Sequence, residues 1–228
     1  MENLDVTTVI FAIVAIFVVF KLRSVLGTRT GAERPPMQPP PAKDSDASNV
    51  ISLGPLKRAA PPPPPAPDRW KPYAEAGTPL AEGLDAVAAG EPQFDPTAFL
   101  SGARGAYEMI VGAFAAGDLN ALRRFLAPEV YANFASAIEA RRAAKQTMKT
   151  TVVSIDKAEF VDARADGRNA LVAVRFATKL VSAVSDANGQ IIEGSATAID
   201  DHVDIWTFAR PLGSRDPNWL LTATETVQ

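Results

Sequence analysis

The sequence predicts an α+β domain carried on a membrane anchor and a long tether, and three observations support this. Apolar residues recur every three or four positions from Phe94 to about Lys145, then every second position between Thr150 and Thr226. Helices followed by an antiparallel meander is the α+β order. Sixteen of the 19 prolines precede residue 97, so the early chain and the late chain are different materials. The expected organisation is a single transmembrane helix at 1–26, a Pro-rich disordered linker at 27–94, and a C-terminal domain at 95–228. In that domain helices pack on a curved four-stranded antiparallel sheet.

Bulk composition narrows the chemistry. The chain has 228 residues, no cysteine, one histidine and a net charge of −3. Its length supports one or two domains with a real core. The missing cysteines exclude a disulfide scaffold, a thiolate metal cluster and a cysteine nucleophile, and they agree with a reducing compartment. A mildly acidic balance argues against nucleic acid as a partner.

The anchor is the uncharged run between Asp5 and Lys21, where Val6, Ile10, Phe11, Ile13, Val14, Ile16, Phe17 and Phe20 supply the apolar bulk. A span needs ~20 apolar residues. Leu4 and Leu22 extend the run and Lys21 can snorkel. A buried soluble helix is one rival reading, but an unbroken apolar helix ahead of a Pro-rich segment has nothing to pack against; a cleaved signal peptide is the other. It calls for a basic leading segment and a small-residue cleavage site, and neither is present. Lys21, Arg23, Arg29 and Arg34 come after the run, so the positive-inside rule places the N-terminus outside and the rest in the cytoplasm.

The linker contains PPMQPPP at 35–41 and APPPPPAP at 60–67, which favour extended polyproline II over a packed core. Two apolar islands interrupt it. Val50, Ile51 and Leu53 form a short β-prone run, and Leu80, Leu84 and Val87 stand at helical spacing. Both are candidate docking peptides that order on a partner or fold back on the domain. Chance apolar residues in a linker is the plainer alternative.

In the domain, Asp95 caps and Pro96 opens a helix whose stripe is Phe99, Ala103, Ala106/Tyr107, Ile110 and Phe114. Gly102, Gly105 and Gly112 within it suggest close contact with a neighbour, or a bend. Gly117-Asp118 ends this helix and caps a short second one. Pro128 opens a third, running to about Lys145 with Tyr131, Phe134, Ala135 and Ile138 facing inward. Strands are expected at Thr150–Ala163, Asn169–Ala183, Ile191–Ala209 and Trp219–Thr226, with an Asn-Gly hairpin at 188–189. The first strand changes phase near Asp156-Lys157, which predicts a bulge and a curved sheet. A curved sheet wrapped on helices makes a cone with an interior groove.

The residues FLSGARGAYEMI from Phe99, the helix segment VYANF from Val130, and WTFAR from Trp206 followed by DPNW from Asp216 resemble the C-terminal domain of the Tim forty-four family. That family contains the peripheral inner-membrane subunit of the mitochondrial presequence translocase, and bacteria carry anchored relatives. The resemblance covers about residues 94–228, with the anchor and tether architecture ahead of it. It implies a nuclear-transport-factor-two-like cone, association with anionic membrane lipid, and scaffolding in place of catalysis. In the mitochondrial protein a longer, charged N-terminal region recruits a DnaK-type chaperone. Here an apolar helix and a proline tether stand in its place.

Several residues invite a chemical role. His202 and Asp204, with Asp200 in phase, lie on one face of a strand and suggest an acid/base pair. Against that, Trp206 and Phe208 continue the same face, and the plainer reading is a polar end to a packed surface. The carboxylates at 200, 201 and 204 lack the loop spacing of a calcium site, and no metal or cofactor is expected. Trp206, Phe208 and Trp219 read most simply as core, and Arg210 and Asp216 as an ion pair across a hairpin. Arg141, Arg142, Lys145 and Lys149 either complement a helix dipole or face anionic headgroups.

The functional expectation is an adaptor, not an enzyme, at the bacterial cytoplasmic membrane. It binds a protein partner, in translocation or membrane-protein quality control, and anionic lipid. The alternative is a ligand-binding or enzymatic cone using the groove near His202 and Asp204.

Overall fold

Capping chemistry sets the helix starts. The computed structural model describes residues 69–227. Thr78 accepts a hydrogen bond from the Ala81 amide at 3.3 Å and Pro79 takes the first helical position, opening α1 (Pro79–Gly90). Asp95 does the same for α2 (Pro96–Ala116), accepting from Ala98 N at 2.7 Å. Gly117 ends α2 in the left-handed region at φ 70°, where glycine carries no Cβ penalty. Asp118 caps the short α3 (Leu119–Leu122), and Pro128 opens α4 (Pro128–Ala143).

Helix α1 corrects the expected boundary of the tether. The stretch from Arg69 to Phe94 belongs to the folded unit. Leu84 and Val87 are completely buried, Ala81 and Ala88 nearly so, and Leu80 packs at the edge of the core. Burying Leu84 and Val87 contributes roughly 1.5–3 kcal/mol each. Trp70, just before the helix, is buried too and donates from Nε1 to Asp85 at 2.9 Å. Of the two docking-peptide candidates, then, the one at 80–87 has folded back on its own domain. Val50, Ile51 and Leu53 lie outside the described residues, as do the anchor residues from Val6 to Phe20. Among the described residues no helix is long and apolar enough to cross a membrane.

Glycine sets the approach of α1 to the sheet. A Cβ on Gly83 would sit 1.8 Å from the carbonyl oxygen of Ala163, so only glycine permits this contact. The three glycines of α2 do the opposite of what their number suggests. At Gly102, Gly105 and Gly112 an added Cβ would meet nothing within 4 Å, so none marks a close neighbour.

The sheet is antiparallel, in the order β1 (Thr147–Asp166), β2 (Asn169–Ser185), β4 (Asp200–Pro211), β5 (Leu220–Thr226), with β3 (Ile191–Gly194) also paired to β2. It has five strands, not four. The expected third strand breaks at Gly194, whose φ of 70° leaves extended geometry, and the Ser195 hydroxyl then accepts from the amides of Thr197 and Ala198. The predicted bulge is present between Ile155 and Lys157, and β1 carries two more, at Val152/Ser154 and Phe160/Asp162. Repeated bulges bend this 20-residue strand around the helices. The Asp186–Gln190 turn forms as the sequence requires. Asp186 accepts from the amides of Asn188 and Gln190, and these bonds hold its carboxyl below the usual range.

Candidate functional site

One strand face organises the candidate site. His202, Asp204, Trp206, Phe208 and Arg210 alternate onto the same side of β4 and stand opposite Thr178, Phe176, Val174, Val172 and Ala170 of β2. Helix α2 runs over that face, and what it presents differs from end to end.

At the His202 end α2 presents Tyr107. Its ring lies 4.5 Å from Trp206 and 4.8 Å from Phe176, and the side chain is 1% exposed. The hydroxyl donates to Asp204 Oδ2 at 2.8 Å and stands 3.2 Å from the buried Thr178 hydroxyl. Thr226 donates to the other Asp204 oxygen at 2.9 Å. Burial, and then the Asp204 charge, push the Tyr107 phenol far above its ordinary range, so it stays a neutral donor. The carboxylate is thus occupied from two sides and the space beside it is filled by rings. Asp204 and His202 share a face, and neither lines the cleft at the other end of the strand. Among the described residues no three metal-ligating side chains gather.

At the Arg210 end α2 presents Ala98, Gly102 and Ala106, and a cleft of about 690 Å³ opens between them and the loop joining β4 to β5. Phe94, Phe99, Phe125, Phe208 and Trp219 supply its apolar surface. Three of these rings cluster, with Phe99 5.0 Å from Trp219 and 5.6 Å from Phe94. Trp219 is therefore half core and half cleft wall.

A buried clamp holds the far side. Arg210 pairs with Glu91 at 3.3 Å and donates to the Ser214 carbonyl at 2.7 Å. Glu91, only 6% exposed, also accepts from the Gly213 amide at 2.8 Å. The expected Arg210–Asp216 pair does not form. Asp216 turns to its own loop and accepts from the backbone and side chain of Asn218, because an Asx turn is closer than a cross-hairpin partner. Arg124 and Arg215 line the same cleft, are exposed, and make no ion pair or side-chain hydrogen bond among the described residues. The arrangement can hold an apolar segment with negative charge at its rim.

The basic cluster after α4 separates into two roles. Arg141 donates to the carbonyls of Phe114 and Ala115 at 2.6 and 3.1 Å and lies over the Phe114 ring, while Arg142 donates to Gly117 O at 2.7 Å. Both complete the end of α2, where orphan carbonyls need donors, in place of their own helix. Burial and the neighbouring Arg142 lower the proton affinity of Arg141. Lys145 and Lys149 remain exposed. Lys145 takes a left-handed φ of 56° in the turn into β1.

Sequence patterns alone do not reveal Glu91, hidden in a stretch of linker composition, or Arg124. They read Gly102 as a close contact or a bend, and the structure leaves open space beside it. The helical spacing of Leu80, Leu84 and Val87 is the signal that residues near 91 are folded.

The fold and site define a helix-on-sheet domain with an open apolar cleft. The chain belongs to the Tim44-like domain family, whose model matches residues 80–226. No curated protein matches it. The intermembrane-space region of the chloroplast protein ARC6 is similar at 14% identity, covering 60% of this chain and 98% of that one, with a TM-score of 0.42. A putative dehydratase of the NTF2-like family from Streptomyces avermitilis shares 14% identity over 59% of this chain and 99% of its own, with a TM-score of 0.31. TsrD from Streptomyces laurentii shares 16% over 59% and 91%, at 0.26.

Proposed function

We propose that this chain is a membrane-tethered adaptor that captures a protein partner in its cleft, at the cytoplasmic face of the bacterial inner membrane. The single observation behind this reading is the cleft, about 690 Å³ in volume with a mainly apolar surface, lined also by the unpaired Arg124 and Arg215. Family membership supports a membrane-associated, protein-binding scaffold. The finer parts rest on the sequence. The apolar run from Val6 to Phe20 anchors the chain once, N-terminus outside, and the proline segments hold the domain within reach of the membrane. Tethering raises the local concentration of the domain around membrane proteins, so a modest contact suffices for capture. Lys145 and Lys149 add headgroup attraction of ~1 kcal/mol each near an anionic surface. The chain works by binding and not by chemistry.

Crosslinking in intact membranes tests this. Full-length chain should enrich specific proteins over a control carrying residues 1–68 alone, and Arg124→Glu with Arg215→Glu should reduce that enrichment. No enrichment over the control defeats the reading. Deleting residues 1–26 should release a folded domain from carbonate-washed membranes, and its retention there would contradict the single anchor.

A further inference from the structure

The cleft walls constrain what kind of segment fits, and this step rests on the adaptor reading above. Along α2, Ala98, Gly102 and Ala106 stand four residues apart and form one ridge facing the cleft. Small residues on such a ridge let a second helix approach closely, since interaxial distance follows the side chains at the crossing. Gly102 leaves the most room, because a Cβ there would touch nothing within 4 Å.

An extended peptide is disfavoured by the sheet. The strand that lines the cleft, β4, is paired to β2 on one side and to β5 on the other, so it has no free edge for strand addition. A helix brings its backbone bonds with it. A bare acyl chain is disfavoured at Gln93, whose side chain lines the cleft with no hydrogen bond among the described residues and would be covered without a partner. A side chain on a peptide can satisfy it. Arg124 and Arg215, exposed and unpaired, line the cleft with one exposed carboxylate, Asp95, which accepts from the Ala98 amide, so the free charge there is net positive and a segment carrying an acidic residue complements it.

We infer that the cleft is the docking site for an apolar helix of a partner protein, crossing α2 over Ala98, Gly102 and Ala106, with an acidic residue meeting Arg124 and Arg215.

The test uses full-length chain in phosphatidylcholine nanodiscs, with empty nanodiscs as the blank. The probe is a fluorescein-labelled peptide of about four helical turns, leucine on one face and alanine on the other, with glutamates in its first turn. Anisotropy should report saturable binding. A version with a central proline, and one with lysines in place of the glutamates, should each bind at least about tenfold more weakly. Gly102→Leu should cost at least about tenfold while the thermal midpoint holds or rises, since the site is open and leucine favours helix. Gly105→Leu, equally open but outside the cleft lining, should leave affinity unchanged. Equal binding by the proline version, or indifference to Gly102→Leu, overturns the proposal. So does binding of fluorescent dodecanoate that Gly102→Leu abolishes while no peptide binds, which makes the cleft a lipid site. If membrane crosslinks persist in Gly102→Leu, the adaptor reading stands and only the helix in the cleft falls.

Discussion

Both ends of the β4 inner face begin from the same pattern and finish as opposites. At one end His202, Asp204 and Trp206 lie beneath Tyr107, which fills the space with its ring and satisfies Asp204 with its hydroxyl. At the other end Phe208 and Arg210 lie beneath Ala98, Gly102 and Ala106, and the space stays open. The strand supplies polar groups and aromatic rings at both ends. The helix passing over it decides which becomes core and which becomes surface. The end with the more catalytic-looking residues lies outside the cleft, so a histidine and a carboxylate two apart on a strand are poor guides to function until their cover is known.

That comparison can be broken most forcefully at Tyr107. Tyr107→Ala should destabilise the domain by about 3–5 kcal/mol, through a cavity under α2 and the loss of a buried donor to Asp204. Denaturant unfolding followed by tryptophan fluorescence would read it. Tyr107→Phe should cost only about 1–3 kcal/mol, because the ring remains and just the hydroxyl is lost. Equal losses in the two variants would mean that packing contributes nothing there.

At the open end the clamp is the sensitive point. Glu91→Ala leaves the Arg210 guanidinium and the Gly213 amide without their acceptor, and breaking a buried pair from one side costs about 3–5 kcal/mol. Arg210 retains the Ser214 carbonyl, and its side chain is 18% exposed, so the lower end of that range is expected. A loss below about 1 kcal/mol would place the pair with ordinary surface bridges.

Two glycines sharpen the contrast with the smallest effects and opposite signs. Gly83→Ala should destabilise by about 1–3 kcal/mol, since its Cβ would drive α1 off the Ala163 carbonyl. Gly102→Ala should stabilise by about 0.8–1 kcal/mol, the usual gain from replacing an unhindered helix glycine. Paired thermal melts decide both, and a stabilising Gly83→Ala would disprove the tight α1–β1 contact.

Local chemistry makes much of the fold legible in the residues alone. Asp95 and Pro96, Gly117 and Asp118, and the Asp186–Gly189 turn each specify a start or stop within a few residues, so α2, α3 and the central hairpin fall where expected. The tether boundary is harder to place, because Pro72, Pro79 and Pro92 lend residues 69–94 a linker composition, although Pro79 sits at a helix start where proline does no harm. The third strand reads as longer than it is, since only the backbone at Gly194 reveals the break. The site is less legible still. Arg210 stands out in the sequence, but its partner is Glu91, more than a hundred residues away along the chain.

By itself, the sequence determined the helix-then-strand order and, through motifs such as WTFAR and DPNW, the family, because capping, periodicity and turn preferences act over a few residues. Tertiary structure alone decided which small residues face open space and which face a carbonyl, and whether a ring or a void lies opposite Asp204. It also decided that Arg141 and Arg142 serve the end of α2. Those outcomes depend on how elements distant in the chain approach one another, and no local spacing records that distance.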